Sequence, residues 1–170
     1  MNTTKLSPHF AVHELFGEHE PTQQESYLAT QLCVYVLEPV REVMGCPLFV
    51  TNGFRPWEQV LDLEKRGYHP SKTSDHSFGQ DWYKWGVGAA DLLKVVNGQR
   101  QSFSAHDYNK LVDVLLDEDS IHRKSLGQLI WYPSRGHVHV SNAREVLLTP
   151  QAQRGLNLAV KRQHFVYPEP

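Results

Sequence analysis

The stretch GHVHVS, residues 136–141, alternates histidine with valine and reads as a β-strand. Side chains on a strand change face with period two, so His137 and His139 share one side while Val138 and Val140 point the other way, into a core. The two imidazoles then stand about 7 Å apart along the strand. That spacing suits one metal ligand and one catalytic partner, on the sheet face opposite the packed interior.

Working outward, GQLIWYP at 127–133 and the short turn SRG pair with this strand as a hairpin. Ser104, with Asp107 three residues on, opens a helix that carries Tyr108, Leu111, Val112 and Leu115 on one side. AADLLKVV from Ala89 and PLFVTN at 47–52 have strand character, and PWEQVLDLEKRG from Pro56 to Gly67 has the proline-first, glycine-last form of a helix. Leu28, Leu32, Val36, Val40 and Val43 recur at steps of four and three, one buried stripe of a long first helix that Pro39 should kink or divide and Gly45 should end. Between 67 and 88 the chain is rich in Gly, Ser and aromatic residues without sustained periodicity, which predicts a long ordered loop. The pattern implies an α+β domain, a short and mostly antiparallel sheet packed against helices. The domain is expected over 1–145, with 146–170 as a peripheral C-terminal segment.

A chain of 170 residues can bury one core without disulfide or metal scaffolding. A formal charge of -2 argues against a nucleic-acid protein driven by a basic surface. No apolar stretch approaches the roughly 18–20 residues that span a bilayer, and the first 20 residues lack an export signal, so neither membrane insertion nor signal-directed secretion is expected. Cys33 and Cys46 have no thiolate metal spacing and read as unpaired structural thiols. Of ten histidines most are ordinary surface or hydrogen-bonded residues, so only arrangements of them carry weight.

A hydrolytic metal site typically takes three His or carboxylate ligands and keeps a fourth position for water. Beside GHVHVS the chain offers His76 in SDHSFG and Asp91 in GVGAADL. Taken in order, SxHxxG, GAAD and HxHxS resemble the zinc D-alanyl-D-alanine carboxypeptidase and endopeptidase family, which shares its fold with the hedgehog signalling domain and its HxH zinc pattern with the lysostaphin-type peptidases. SPHFAVHELF at 7–16, LEPVREVMGCPLFVTNGFR at 37–55 and QLIWY at 128–132 extend the resemblance over about residues 7–141.

The resemblance implies zinc held by His76, Asp91 and His139, with Arg55 of NGFR holding the substrate carbonyl or its developing oxyanion. His137 is then the proton-handling partner or a residue that orients a ligand. Ser74 and Asp75 are placed to contact substrate or to orient His76. Trp82, Tyr83 and Trp85 either line a substrate groove or pack within their own loop.

Two departures from the family stand out. The interval from His76 to Asp91 is longer, with DWYKWGV at 81–87 as the extra stretch, so Asp81 competes with Asp91 as the carboxylate ligand. WYPSRGHVH also lacks the acidic residue that many carboxypeptidase-type members carry before the last histidine, which moves the base role to His137. The expected activity is zinc-dependent hydrolysis of peptidoglycan stem peptides or cross-links by a monomer. The expected setting is the bacterial wall, reached by a phage endolysin-type enzyme during lysis or as a virion component. The alternative is a zinc-binding structural or phage assembly protein that keeps the fold without hydrolysis.

Overall fold

The computed structural model describes residues 2–69, 74–78 and 87–143, together with the backbone of 163–166. Its helices are α1 (Val12–Phe16), α2 (Gln23–Leu32), α3 (Glu38–Met44), α4 (Trp57–Lys65) and α5 (Ala105–Leu115). Its strands are β1 (Leu48–Asn52), β2 (Ala89–Val96), β3 (Gln99–Gln101), β4 (Leu126–Tyr132), β5 (His137–Asn142) and β6 (Gln163–Val166). The architecture is α+β, as the sequence pattern implies.

The long first helix forms where the apolar stripe runs. Thr22 and Glu25 cap its start reciprocally, the Thr22 hydroxyl accepting from Glu25 N–H (3.2 Å) while the Glu25 carboxylate accepts from Thr22 N–H (2.7 Å). Leu28, Leu32, Val36 and Val40 are all buried. Pro39 divides the helix without stopping it. Proline lacks an N–H and crowds the carbonyl four residues back, and the chain accommodates it by widening into a π-turn over Cys33–Leu37, where Glu38 N–H reaches Cys33 O. Gly45 then ends α3 at φ +65°.

The sheet runs β1-β2-β5-β4-β6, with β3 paired to the far half of β2. All pairings are antiparallel except β4 with β6. The C-terminal stretch thus contributes an edge strand through Gln163–Val166. The β2–β3 hairpin turns on Asn97 and Gly98, both at positive φ (+52° and +75°), the turn chemistry that tight hairpins require.

One face of the sheet, carrying Ala90, Leu92, Leu129, Val138 and Val140, joins the helical stripe and Tyr108, Leu111 and Leu115 of α5 in the main core. Lys94 of β2 bonds Asp107 in the first turn of α5 at 2.6 Å, which ties that helix to the sheet. The alternation in HVHVS therefore falls as expected, valines inward and histidines outward. Register sets the other face: Asn52 lies opposite Asp91, Asp91 opposite His139, and His139 opposite Ile130.

The N-terminal arm is held to α3 by one carboxylate. Glu38 accepts from the Ser7 hydroxyl (2.6 Å), from His9 N–H (2.9 Å) and from His9 Nδ1 (2.8 Å). Burial alone would raise its pKa, but these bonds outweigh burial and hold it below the ordinary 4.5. A lowered folded-state pKa stabilises above the unfolded value and is lost as pH falls through the folded one. Glu38→Gln should therefore cost about 1–2 kcal/mol near neutral pH, with the gap from wild type narrowing below about pH 4.5, as read by urea unfolding at both pH values.

Candidate metal centre

His76 sits in a single 3-10 turn, Asp75–Ser77, that Ser74 caps. The Ser74 hydroxyl accepts from His76 N–H (3.3 Å), and its carbonyl accepts from Ser77 N–H (3.1 Å) and from the Ser77 hydroxyl (2.8 Å). Phe78 follows in the left-handed region at φ +47°, a conformation that costs an aromatic residue about 1–2 kcal/mol. Its ring is fully buried against Phe16 and Phe54, with centroids at 5.4 and 6.0 Å, and this burial offsets the cost and anchors the turn.

The segment NGFR at 52–55 meets that turn and holds it. Gly53 O accepts from His76 Nδ1 at 2.7 Å, and Arg55 N–H donates to His76 O at 2.8 Å. Phe54 N–H also donates to Leu15 O at 2.7 Å, so the backbone of 53–54 is pressed against α1. A Cβ on Gly53 would run into the Leu15 carbonyl, which is why this position takes glycine.

His76, Asp91 and His139 converge so that one ligand atom from each lies within 4.8 Å of the others, and the group can hold a metal ion. Asp91 Oδ1 is 2.9 Å from His139 Nδ1, 3.6 Å from His76 Nε2 and 3.8 Å from His137 Nε2. Each of the three ligand candidates is steadied from behind. Gly53 O takes the Nδ1 proton of His76, Asn52 Nδ2 donates to Asp91 Oδ2 at 3.2 Å, and Gln128 Oε1 stands 3.0 Å from His139 Nε2.

The oxygens around the two rings call for a positive charge at this point. With its proton at Nδ1, a neutral His76 turns the Nε2 lone pair toward a carboxylate oxygen, and a neutral His139 cannot donate to Asp91 and Gln128 together. A positive charge among His76 Nε2, Asp91 Oδ1 and His139 Nδ1, from a metal ion or from protons on the two rings, resolves both conflicts. Burial would raise the Asp91 pKa, but with protons rather than a metal on the facing ring nitrogens, hydrogen bonds from His139 and His76 and the charge of those rings hold it far below the ordinary carboxylate range. Burial lowers the pKa of His137, and Asp91 opposes that shift while Arg135, His139 and His76 reinforce it.

The expected residues divide clearly. His76, Asp91 and His139 come together, and His137 stands at the rim with its ring 4.9 Å from Tyr132. Arg55 is partly buried beside Asp91, and its Nε has no hydrogen-bond partner among the described residues. Ser74 caps the turn, and Asp75 is buried within it. Asp81, Trp82, Tyr83 and Trp85 lie outside the described residues. Asn52, Gln128 and the Gly53 carbonyl are additions that motif reading did not single out. The one available signal was position: Asn52 and Gly53 precede Arg55 in NGFR, and Gln128 opens QLIWY.

No family model, no curated protein and no solved structure matches this chain.

Two outcomes check the centre. His76→Ala, Asp91→Ala and His139→Ala should each abolish metal uptake while Asp81→Ala retains it, measured by equilibrium dialysis with elemental analysis. Gly53→Ala should destabilise the protein by about 1–3 kcal/mol and weaken metal uptake, because the clash displaces the carbonyl that orients His76.

Proposed function

We propose that the protein is a zinc metallopeptidase that hydrolyses peptide bonds of bacterial peptidoglycan, in stem peptides or cross-links. The observation that carries this proposal is the two-His, one-carboxylate group flanked by His137 and by the Nε of Arg55, which has no hydrogen-bond partner among the described residues. Borderline zinc suits such a donor set. Ligand atoms about 2.0–2.2 Å from a tetrahedral zinc stand about 3.4 Å from each other, and the separations of 2.9 and 3.6 Å from Asp91 Oδ1 are close to that value. The wall-peptide substrate and the phage lysis or virion setting rest on the resemblance carried by SDHSFG, GAADL, NGFR and GHVHVS.

When bound, zinc supplies Lewis acidity toward a scissile carbonyl and brings the pKa of its water to about 7. The remaining steps belong to side chains. His137 Nε2, 3.8 Å from Asp91 Oδ1, is close enough to the ligand group to take the proton of the attacking water and return it to the leaving amine. Arg55 brings a fixed positive charge and planar donors toward the substrate carbonyl oxygen, and its pairing there would satisfy a buried N–H that has no partner among the described residues. Among the described residues no helix is long and apolar enough to cross a membrane.

The test is release of amines from purified peptidoglycan by the zinc-loaded protein, abolished by a chelator. His137→Ala should keep zinc and lose about 10²–10⁴-fold in rate. Zinc at unit stoichiometry with no amine release, unchanged by His137→Ala, would instead identify a non-hydrolytic zinc-binding component.

A further inference from the structure

We infer that Gln128 is a positioning residue of the metal centre, whose side-chain oxygen holds His139 with Nδ1 turned toward Asp91 and His76. The inference rests on the metal reading of that group and deepens it by assigning the ligating nitrogen of each histidine. His139 faces an oxygen on both sides, Asp91 Oδ1 at 2.9 Å from Nδ1 and Gln128 Oε1 at 3.0 Å from Nε2. A carboxamide oxygen has no proton to give, so Nε2 carries the N–H, and in the neutral ring that a metal ligand must be, Nδ1 is the lone-pair donor. Were the carboxamide reversed, its NH₂ would donate to Nε2, the ring proton would move to Nδ1, and His139 would have no lone pair for a cation beside Asp91. The orientation of the Gln128 carboxamide is therefore coupled to which nitrogen His139 presents to a cation.

The placement follows from strand register. On β4, Gln128 is opposite Ser141 and Ile130 is opposite His139, so Gln128 and His139 are diagonal neighbours on the same face. His139 is buried, which leaves little room for solvent to replace the amide as acceptor. His76 uses a backbone acceptor for the same purpose, Gly53 O on Nδ1, and so presents Nε2. The two histidines thus present opposite nitrogens, Nε2 from His76 and Nδ1 from His139, each fixed by an oxygen behind it.

Chelator competition with zinc and with cobalt, on wild type, Gln128→Leu and Gln128→Glu, tests the assignment. Gln128→Leu should weaken metal affinity about 10–100-fold and alter the visible spectrum of the cobalt form, whereas Gln128→Glu, which keeps the acceptor, should bind at least as tightly as wild type. In the zinc-loaded wild type, long-range ¹H–¹⁵N correlation spectra should show His139 protonated at Nε2 and His76 at Nδ1. This measurement tests the nitrogen assignment even if Gln128→Leu fails to fold, and in that case a Gln128→Glu protein that binds more weakly than wild type overturns the role of Gln128. Affinity unchanged within about twofold in a folded Gln128→Leu, or His139 protonated at Nδ1, overturns the assignment while the metal centre stands. Absence of metal uptake by wild type overturns both.

Discussion

Asp91 is a carboxylate set in the middle of a sheet, and the site is arranged around the need to compensate its charge. Its side chain is only 15% exposed, and burying an uncompensated carboxylate costs several kcal/mol. The compensation is assembled by register. β1 brings Asn52 to Oδ2, β5 brings His139 to Oδ1, and the turn after α4 brings His76 to the same oxygen. The partners come from segments about 15 to 50 residues away in sequence, so a carboxylate satisfied in this way exists only when β1, β2 and β5 are correctly paired.

The same sheet separates packing from chemistry. Val138 and Val140 are fully buried with the helical stripe, while His137 and His139 on the same five-residue stretch face the opposite side. The rigid face supports the reactive one, because a shift of one residue in β5 would put imidazoles in the core and valines beside Asp91. NGFR does the corresponding work at the edge of the sheet. Asn52, Gly53 and Arg55 contact or face three different parts of the site, and Phe54 between them is buried against Phe16 and Phe78 and stacked with the ring of His19. Packing of one aromatic residue thereby fixes the direction of its polar neighbours.

Periodicity made most of this architecture legible. The stripe from Leu28 to Val40, the strand AADLLKVV and the alternation in HVHVS are local patterns, and each corresponds to the element found. His76, Asp91 and His139 were legible as a set only through their order along the chain, since each alone is an ordinary residue. The supporting contacts were not legible, for a physical reason: Gln128 and Asn52 act through cross-strand register, which depends on pairing partners rather than on neighbours in sequence. The π-turn at Cys33–Leu37 is a milder case. Pro39 announces a disturbance in the helix, but whether the chain kinks, breaks or widens depends on the burial of Val36 and Val40 on either side, and here both stay in the core.

Register in β1 carries one further consequence. Val50 pairs with Leu92 and Asn52 with Asp91, so the strand holds one extra residue, Thr51, between consecutive partners on β2. With regular pairing Thr51 would stand opposite Asp91, and a hydroxyl would meet the carboxylate where an amide now does. The bulge instead brings Asn52 to Asp91 Oδ2 and leaves the Thr51 hydroxyl to donate to the Asp91 backbone carbonyl at 3.1 Å. It also starts the departure from the sheet that lets Gly53 turn its carbonyl to His76. A bulge bends the strand and re-aims the side chains beyond it, and here that single extra residue serves two of the three ligand candidates at once. The irregularity in β1 is therefore part of the site, and its strand cannot be regularised without moving both the amide behind Asp91 and the carbonyl behind His76.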